Sequence, residues 1–292
     1  MGVQDAWVKR GIFGILGFLG LWVFLTAVLA HPVALLVEGM APGMFPFPRI
    51  FGRVQLGVAL ALVPLLLWFW RDHPKRFYDF PQWKTGLTRS LLWFGVGMGM
   101  VGVVAGLQVW LGVRKWATVP GVEVWAGALA TGLLVGFLEE FFFRGVLGMA
   151  WWRSMSGRPA GILLAVNAVL FSAVHFIRPL AGTEQGWADG FTAWGRLELW
   201  SGTVDPWRLA GLALAGLVLA RIVWGQGNLW AAIGLHAGWV AGVRWAEASF
   251  PEVSQATAGW WGPSLESGPL PFMVLLLFAF SLMGKPIRAY LD

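Results

Sequence analysis

The feature that most constrains this chain is that its apolar residues run in long blocks instead of recurring at the spacing of a soluble core. Eight blocks stand out, over residues 11–30, 54–70, 91–113, 121–150, 160–177, 209–224, 228–245 and 269–284. Most are roughly 16 to 23 residues long, which is what a bilayer hydrocarbon core of about 30 Å requires of a helix. Inside that core every backbone polar group needs an internal partner, so helices are the expected solution. Only 12% of residues are charged, about half the share of a soluble domain. The expected fold is therefore all-α, a polytopic transmembrane bundle of about eight helices.

Tryptophan placement agrees. Trp68 and Trp70 close one block, Trp151 and Trp152 another, and Trp224 and Trp230 flank a third junction. An indole is apolar with one polar N–H and settles at headgroup level. The net charge is +6, which in a soluble protein would suggest nucleic acid. Here Lys and Arg lie in the short connections, so they set topology and meet anionic lipid; no nucleic-acid partner is expected. The chain has no cysteine, which excludes disulfides and thiolate metal sites.

The organisation reads as three N-terminal spans within 1–119, a four-helix core over 120–245, and a loop plus last span over 246–292. The first block follows Lys9 and Arg10 and ends in Ala-Val-Leu-Ala at residue 30. It is longer than a usual signal core and reads as a retained anchor. The cluster Arg71, Lys75, Arg76, Lys84 and Arg89 tips the basic count toward both termini in the cytoplasm, and the chain is expected to be a multi-pass protein of a bacterial-type cytoplasmic membrane. The longest polar connection, 178–208, reads as an ordered lid or surface loop.

The fourth block holds what a bilayer disfavours: Phe-Leu-Glu139-Glu140-Phe-Phe-Phe-Arg144-Gly. A charged side chain at mid-bilayer costs roughly 2.5–3.5 kcal/mol on insertion scales, so such residues face a protein interior and mark a functional site. Glu140 and Arg144 stand at i, i+4 and can pair. Glu139 points about 100° away and is left without a local partner, which suits a general base or acid. The plainer reading is a structural ion pair plus an interfacial glutamate.

Of four histidines, His31 and His73 lie beside prolines in connections, and nothing is expected of them. His175 and His236 lie within apolar blocks, in Phe171-Ser-Ala-Val-His175 and Gly-Leu-His236-Ala-Gly-Trp-Val240. A lone intramembrane histidine is as often a packing partner as a catalyst. Two beside an unpartnered glutamate favour catalysis. The fourth and fifth blocks are joined by a tight break at Ser156-Gly157-Arg158-Pro159, so their helices should run antiparallel. Glu139 and His175 are equidistant from that break and would stand level. Gly234, Gly238 and Gly242 form a small-residue stripe for close helix packing, as do Gly132 and Gly136; His236 points away from the first stripe.

These motifs resemble the CAAX-protease and bacteriocin-processing family of intramembrane proteases, which includes the type II CAAX prenyl endopeptidases. The match is carried by Glu139-Glu140-x-x-x-Arg144 on one helix, Phe171-x-x-x-His175 on the next, and His236 two helices later, within about 120–245. The resemblance implies peptide-bond hydrolysis in a membrane-embedded chamber, on a membrane-associated peptide or protein. Glu139 and His175 would activate water, His236 would bind a metal or polarise the carbonyl, and Arg144 would hold Glu140. One position departs: the family often has Asn four residues after the last His, and here that residue is Val240.

Two chemistries fit. Glu139, His175 and His236 with an open water position match a catalytic zinc site, zinc being the favoured divalent metal. Alternatively Glu139 acts as general base with His175 and no metal. Two other functions compete. One is a non-catalytic immunity or scaffold protein of the same fold, favoured by Val240. The other is a proton-coupled transporter, for which no paired broken helices are evident.

Overall fold

The computed structural model describes residues 3–69, 83–117, 119–148, 160–180, 186–226, 228–253, 261 and 264–283. The connection 151–159, the stretch 70–82 with Arg71, His73, Lys75 and Arg76, and the C-terminal tail lie outside them. Among the described residues the fold is all-helical, with two isolated β-bridges, Arg114 with Glu252 and Pro179 with Leu197. In chain order the helices are α1 (Val3–Met40), α2 (Phe47–Phe69), α3 (Trp83–Trp110), α4 (Val122–Glu140), α5 (Ala160–Val174), α6 (Asp189–Gly195), α7 (Pro206–Gln226), α8 (Trp230–Ser249) and α9 (Pro269–Met283). A π-helical stretch, Phe141–Gly148, continues α4. Each of the eight apolar blocks coincides with a helix, so the chain is a polytopic helical membrane bundle.

Among the described residues, five helices are long and apolar enough to cross a membrane: Phe13–Met40, Phe47–Trp68, Lys84–Trp110, Val122–Gly148 and Pro206–Gln226. Two shorter apolar helices are Leu164–Val174 and Pro269–Leu282. Helix α8 is not among them, because it is built largely of Ala and Gly and carries His236, Arg244 and Glu247. Its residues 231–238 are all buried. A helix shielded by its neighbours has no lipid to match, so its side chains are chosen for packing instead of hydropathy.

The contacts divide the chain into two interleaved units. The first comprises Met1–Pro74, Ala150–Arg158 and Ala173–Val204. In it α1 packs on α2, and α6 packs on α1. The second comprises Lys75–Met149, Pro159–Ser172 and Asp205–Asp292. There α8 lies between α3 and α4 and also meets α7, while α9 packs on α7 and α3.

The glycine stripes explain how α8 fits. A Cβ on Gly234 would strike the Ser90 carbonyl, and one on Gly238 the Phe94 carbonyl, both on α3. A Cβ on Gly136 would come within 2.7 Å of the Ala237 nitrogen, and Gly132 is equally tight against Ala237 and Ala241. Small residues thus let α3 and α4 approach opposite sides of α8 to backbone contact, where van der Waals packing replaces the missing hydrophobic drive. His236 occupies neither stripe, as its register requires.

At one end of this unit Arg114 clasps the α3–α4 connection to the α8–α9 connection. It is buried, and it donates to Gln108 Oε1 at 3.0 Å, the Phe250 carbonyl at 2.6 Å and Glu252 at 3.3 Å. Burial is the main cause pulling its pKa below the usual guanidinium value, while Glu252 and Glu247 oppose the fall. Burial also raises the Glu247 carboxyl, with Glu266 adding to the rise and Arg114 and Arg244 opposing it.

Candidate active site

The charged residues of the fourth block converge on α8. Glu140, the last residue of α4, is wholly buried, and Arg144 is almost so. Their i, i+4 spacing brings Arg144 Nη1 to 2.7 Å from Glu140 Oε1. The same Oε1 lies 2.9 Å from His236 Nδ1. One carboxylate oxygen therefore holds both the guanidinium and the imidazole. Glu140 Oε2 and Arg144 Nε have no hydrogen-bond partner among the described residues.

Arg144 is fixed from three further directions. Its Nη2 donates to the Gly216 carbonyl on α7 at 3.1 Å. Its guanidinium carbon lies 4.3 Å from the centre of the Phe171 ring and 5.9 Å from that of Phe143. A flat cation over an aromatic face is a favourable arrangement, strengthened where water is excluded. Phe171 also packs edge-on against His236, with ring centres 5.8 Å apart. A charge that lipid would penalise thus has carboxylate, carbonyl and ring partners inside the protein.

His236 presents its other nitrogen elsewhere. Nε2 is 3.9 Å from Glu139 Oε2, and the Glu139 side chain is 28% exposed against 0% for Glu140. Consecutive glutamates on one helix face different surroundings, so Glu140 is committed to the interior while Glu139 borders a more open space. With Nδ1 engaged by Glu140, the Nε2 edge of the ring is the one turned toward Glu139.

The structure brings together Glu139, Glu140, Arg144 and His236. His175 stands half-buried in the turn that ends α5, one helical turn past Phe171, and belongs to the first unit. Its part in the site remains a proposal. Val240 is half-buried on α8, one turn beyond His236. Among the described residues no group of three or more His, Asp or Glu side chains is arranged to hold a metal ion. Glu140 is already occupied by Arg144 and His236.

Three features were not anticipated. The π-helical stretch starts immediately after Glu140 and contains Arg144. Asn167 on α5, 3% exposed, donates from Nδ2 to the Phe143 carbonyl within that stretch at 3.0 Å. The Gly216 carbonyl, third, receives Arg144. Asn167 had a readable signal, since it is a lone amide in an apolar block and precedes Phe171 by one turn. Wide turns of this kind recur at functional sites, but no residue pattern announces one.

Residues 121–242, less than half of the 292-residue chain, match a protein family described as Type II CAAX prenyl endopeptidase Rce1-like. No curated protein and no solved structure matches the chain.

Proposed function

We propose that the chain is an intramembrane endopeptidase hydrolysing a peptide bond of a membrane-associated protein or peptide, a reading supported by the match of residues 121–242 to the Rce1-like type II CAAX prenyl endopeptidase family. The observation that carries the mechanism is the shared Oε1 of Glu140, which holds His236 Nδ1 and leaves Nε2 toward Glu139. Glu139 takes a proton from water as the oxygen adds to the carbonyl carbon. His175, supplied by the resemblance alone, orients that water. His236, held at Nδ1 by Glu140, turns Nε2 toward the developing oxyanion and stabilises it. Glu139 then passes its proton to the leaving amine as the C–N bond breaks.

The rival chemistry is a divalent metal, zinc first, held by Glu139, His175 and His236. The rival function is a non-catalytic protein of the same fold, and Val240 is the residue that favours it. The same reading puts both termini in the cytoplasm, supported by the basic residues of the 71–90 connection. The test is cleavage of a membrane-tethered peptide reporter by purified protein in vesicles, with and without chelator. Cleavage that survives exhaustive chelation and is lost in Glu139→Gln supports the metal-free mechanism. Loss on chelation with recovery on zinc replaces it with the metal mechanism. Absence of cleavage across a panel of prenylated and unprenylated reporters favours the non-catalytic reading.

A further inference from the structure

The connection between α5 and α7 lies where an aqueous loop should not. Within the first unit, α6 packs on α1 through Gly190, Phe191 and Trp194. A Cβ on Gly190 would strike the Ala27 carbonyl. Phe191 meets Phe24 with ring centres 6.4 Å apart, and Trp194 meets Trp22 at 5.4 Å and Phe51 at 5.6 Å. Ala193 joins a buried cluster with Ala30, Phe47 and Phe51. The partners on α1 therefore run from Trp22 to Ala30.

That stretch fixes the depth. The apolar span of α1 is Phe13–Met40, 28 residues, or about 42 Å of helix at 1.5 Å per residue. The bilayer core is about 30 Å thick. Trp22 and Ala30 lie about 14 and 26 Å from the Phe13 end. Any placement of a 30 Å slab on this span includes both. Phe47 and Phe51 open α2, so α6 also touches the start of the second span. At this depth Phe191 is 49% exposed, beside Phe24 at 55%.

We infer that α6 is a re-entrant, membrane-embedded helix whose exposed face meets lipid acyl chains. Its backbone is equipped for that solvent, since groups at membrane depth need internal partners. Leu180 N donates to the Arg196 carbonyl at 2.9 Å, Glu198 N to the Arg178 carbonyl at 3.0 Å, and Leu199 N to the Phe176 carbonyl at 3.1 Å. These bonds close the neck of the segment. Arg178 pairs with Glu198, which cancels two charges there. The Asp189 carboxylate accepts from Gly186 N at 2.6 Å.

The chain has no cysteine, so single spin labels are placed cleanly. Phe191→Cys and Thr192→Cys are compared with Phe24→Cys on the α1 span and Met44→Cys in the α1–α2 turn, in full-length protein in phosphatidylcholine–phosphatidylglycerol vesicles. Collision rates are measured with oxygen, which partitions into lipid, and with a water-soluble nickel chelate. Labels at 191 and 192 should follow position 24, with oxygen collisions exceeding nickel collisions severalfold, while position 44 shows the reverse. Nickel access at 191 or 192 equal to that at 44 would overturn the inference, making the segment an aqueous loop. Low access to both reagents at both sites would also overturn it, meaning that protein covers the face. Neither result depends on peptidase activity.

Discussion

At the scale of single residues, the site rests on two adjacent glutamates doing different work. Glu140 neutralises Arg144 and holds His236, while Glu139, near His236 Nε2, is the group proposed above to take a proton. Glu139→Gln should therefore lower reporter cleavage by orders of magnitude while leaving expression and melting temperature near wild type. Arg144→Ala should do the opposite first: it strands a buried carboxylate, which costs on the order of 3–5 kcal/mol in soluble proteins. Comparing thermal unfolding of the two variants in one detergent checks this, and equal melting temperatures would show that the buried pair carries no stability. The Glu140–Arg144 pair was legible in the sequence because i, i+4 spacing is local. The Glu140–His236 contact was not, because it joins residues 96 positions apart and depends on how α4 and α8 are rotated. The family resemblance named His236 but gave no reason for its second ring nitrogen to be occupied.

At the scale of elements, the sequence showed the existence of all eight apolar helices, since block length alone requires them. It did not show that α8 would be the shielded centre, although its Ala and Gly content was the available signal. Nor did it show α6, because a seven-residue helix inside a Gly- and Trp-rich connection has no periodicity to read. The stripe on α8 allows a sharp prediction. Gly238→Leu should abolish folding or strongly lower stability, because the added carbons meet the Phe94 carbonyl instead of a flexible side chain; expression and monodispersity in detergent report it. Val240 tests the departure from the family pattern. In an active enzyme, Val240→Asn should change the rate by less than about tenfold, or 1.4 kcal/mol. An oxyanion donor is worth about 10² to 10³, so a large gain from an inactive wild type would favour the non-catalytic reading.

At the scale of the whole molecule, charge beyond the apolar block 228–245 sets a pH dependence. Burial, aided by Glu266, raises the Glu247 carboxyl above its ordinary range, while Arg114 and Arg244 oppose the shift. A raised acid is less easily ionised in the folded state. Its stability contribution is thus fully present below the ordinary carboxylate value and is lost as pH rises through the raised one. Glu247→Gln should therefore melt higher than wild type at neutral pH and coincide with it near pH 4. A wild-type advantage at neutral pH would mean that the arginines outweigh burial.

The partners of Arg144 and Glu140 also have a history within each molecule's synthesis. The Gly216 carbonyl is made 72 residues after Arg144, and His236 is made 96 residues after Glu140. At roughly 5–20 residues per second, the charged end of α4 waits several seconds beside lipid or the insertion machinery before its partners exist. During that interval α4 is an unfinished helix with two carboxylates and a guanidinium to shelter. Nascent chains halted before α7 should be degraded faster than chains halted after α8, and neutralising Glu139, Glu140 and Arg144 together should erase the difference. Pulse-chase of arrested chains would time the window. The arrangement that serves the finished site makes the order of synthesis a hazard that the cell has to manage.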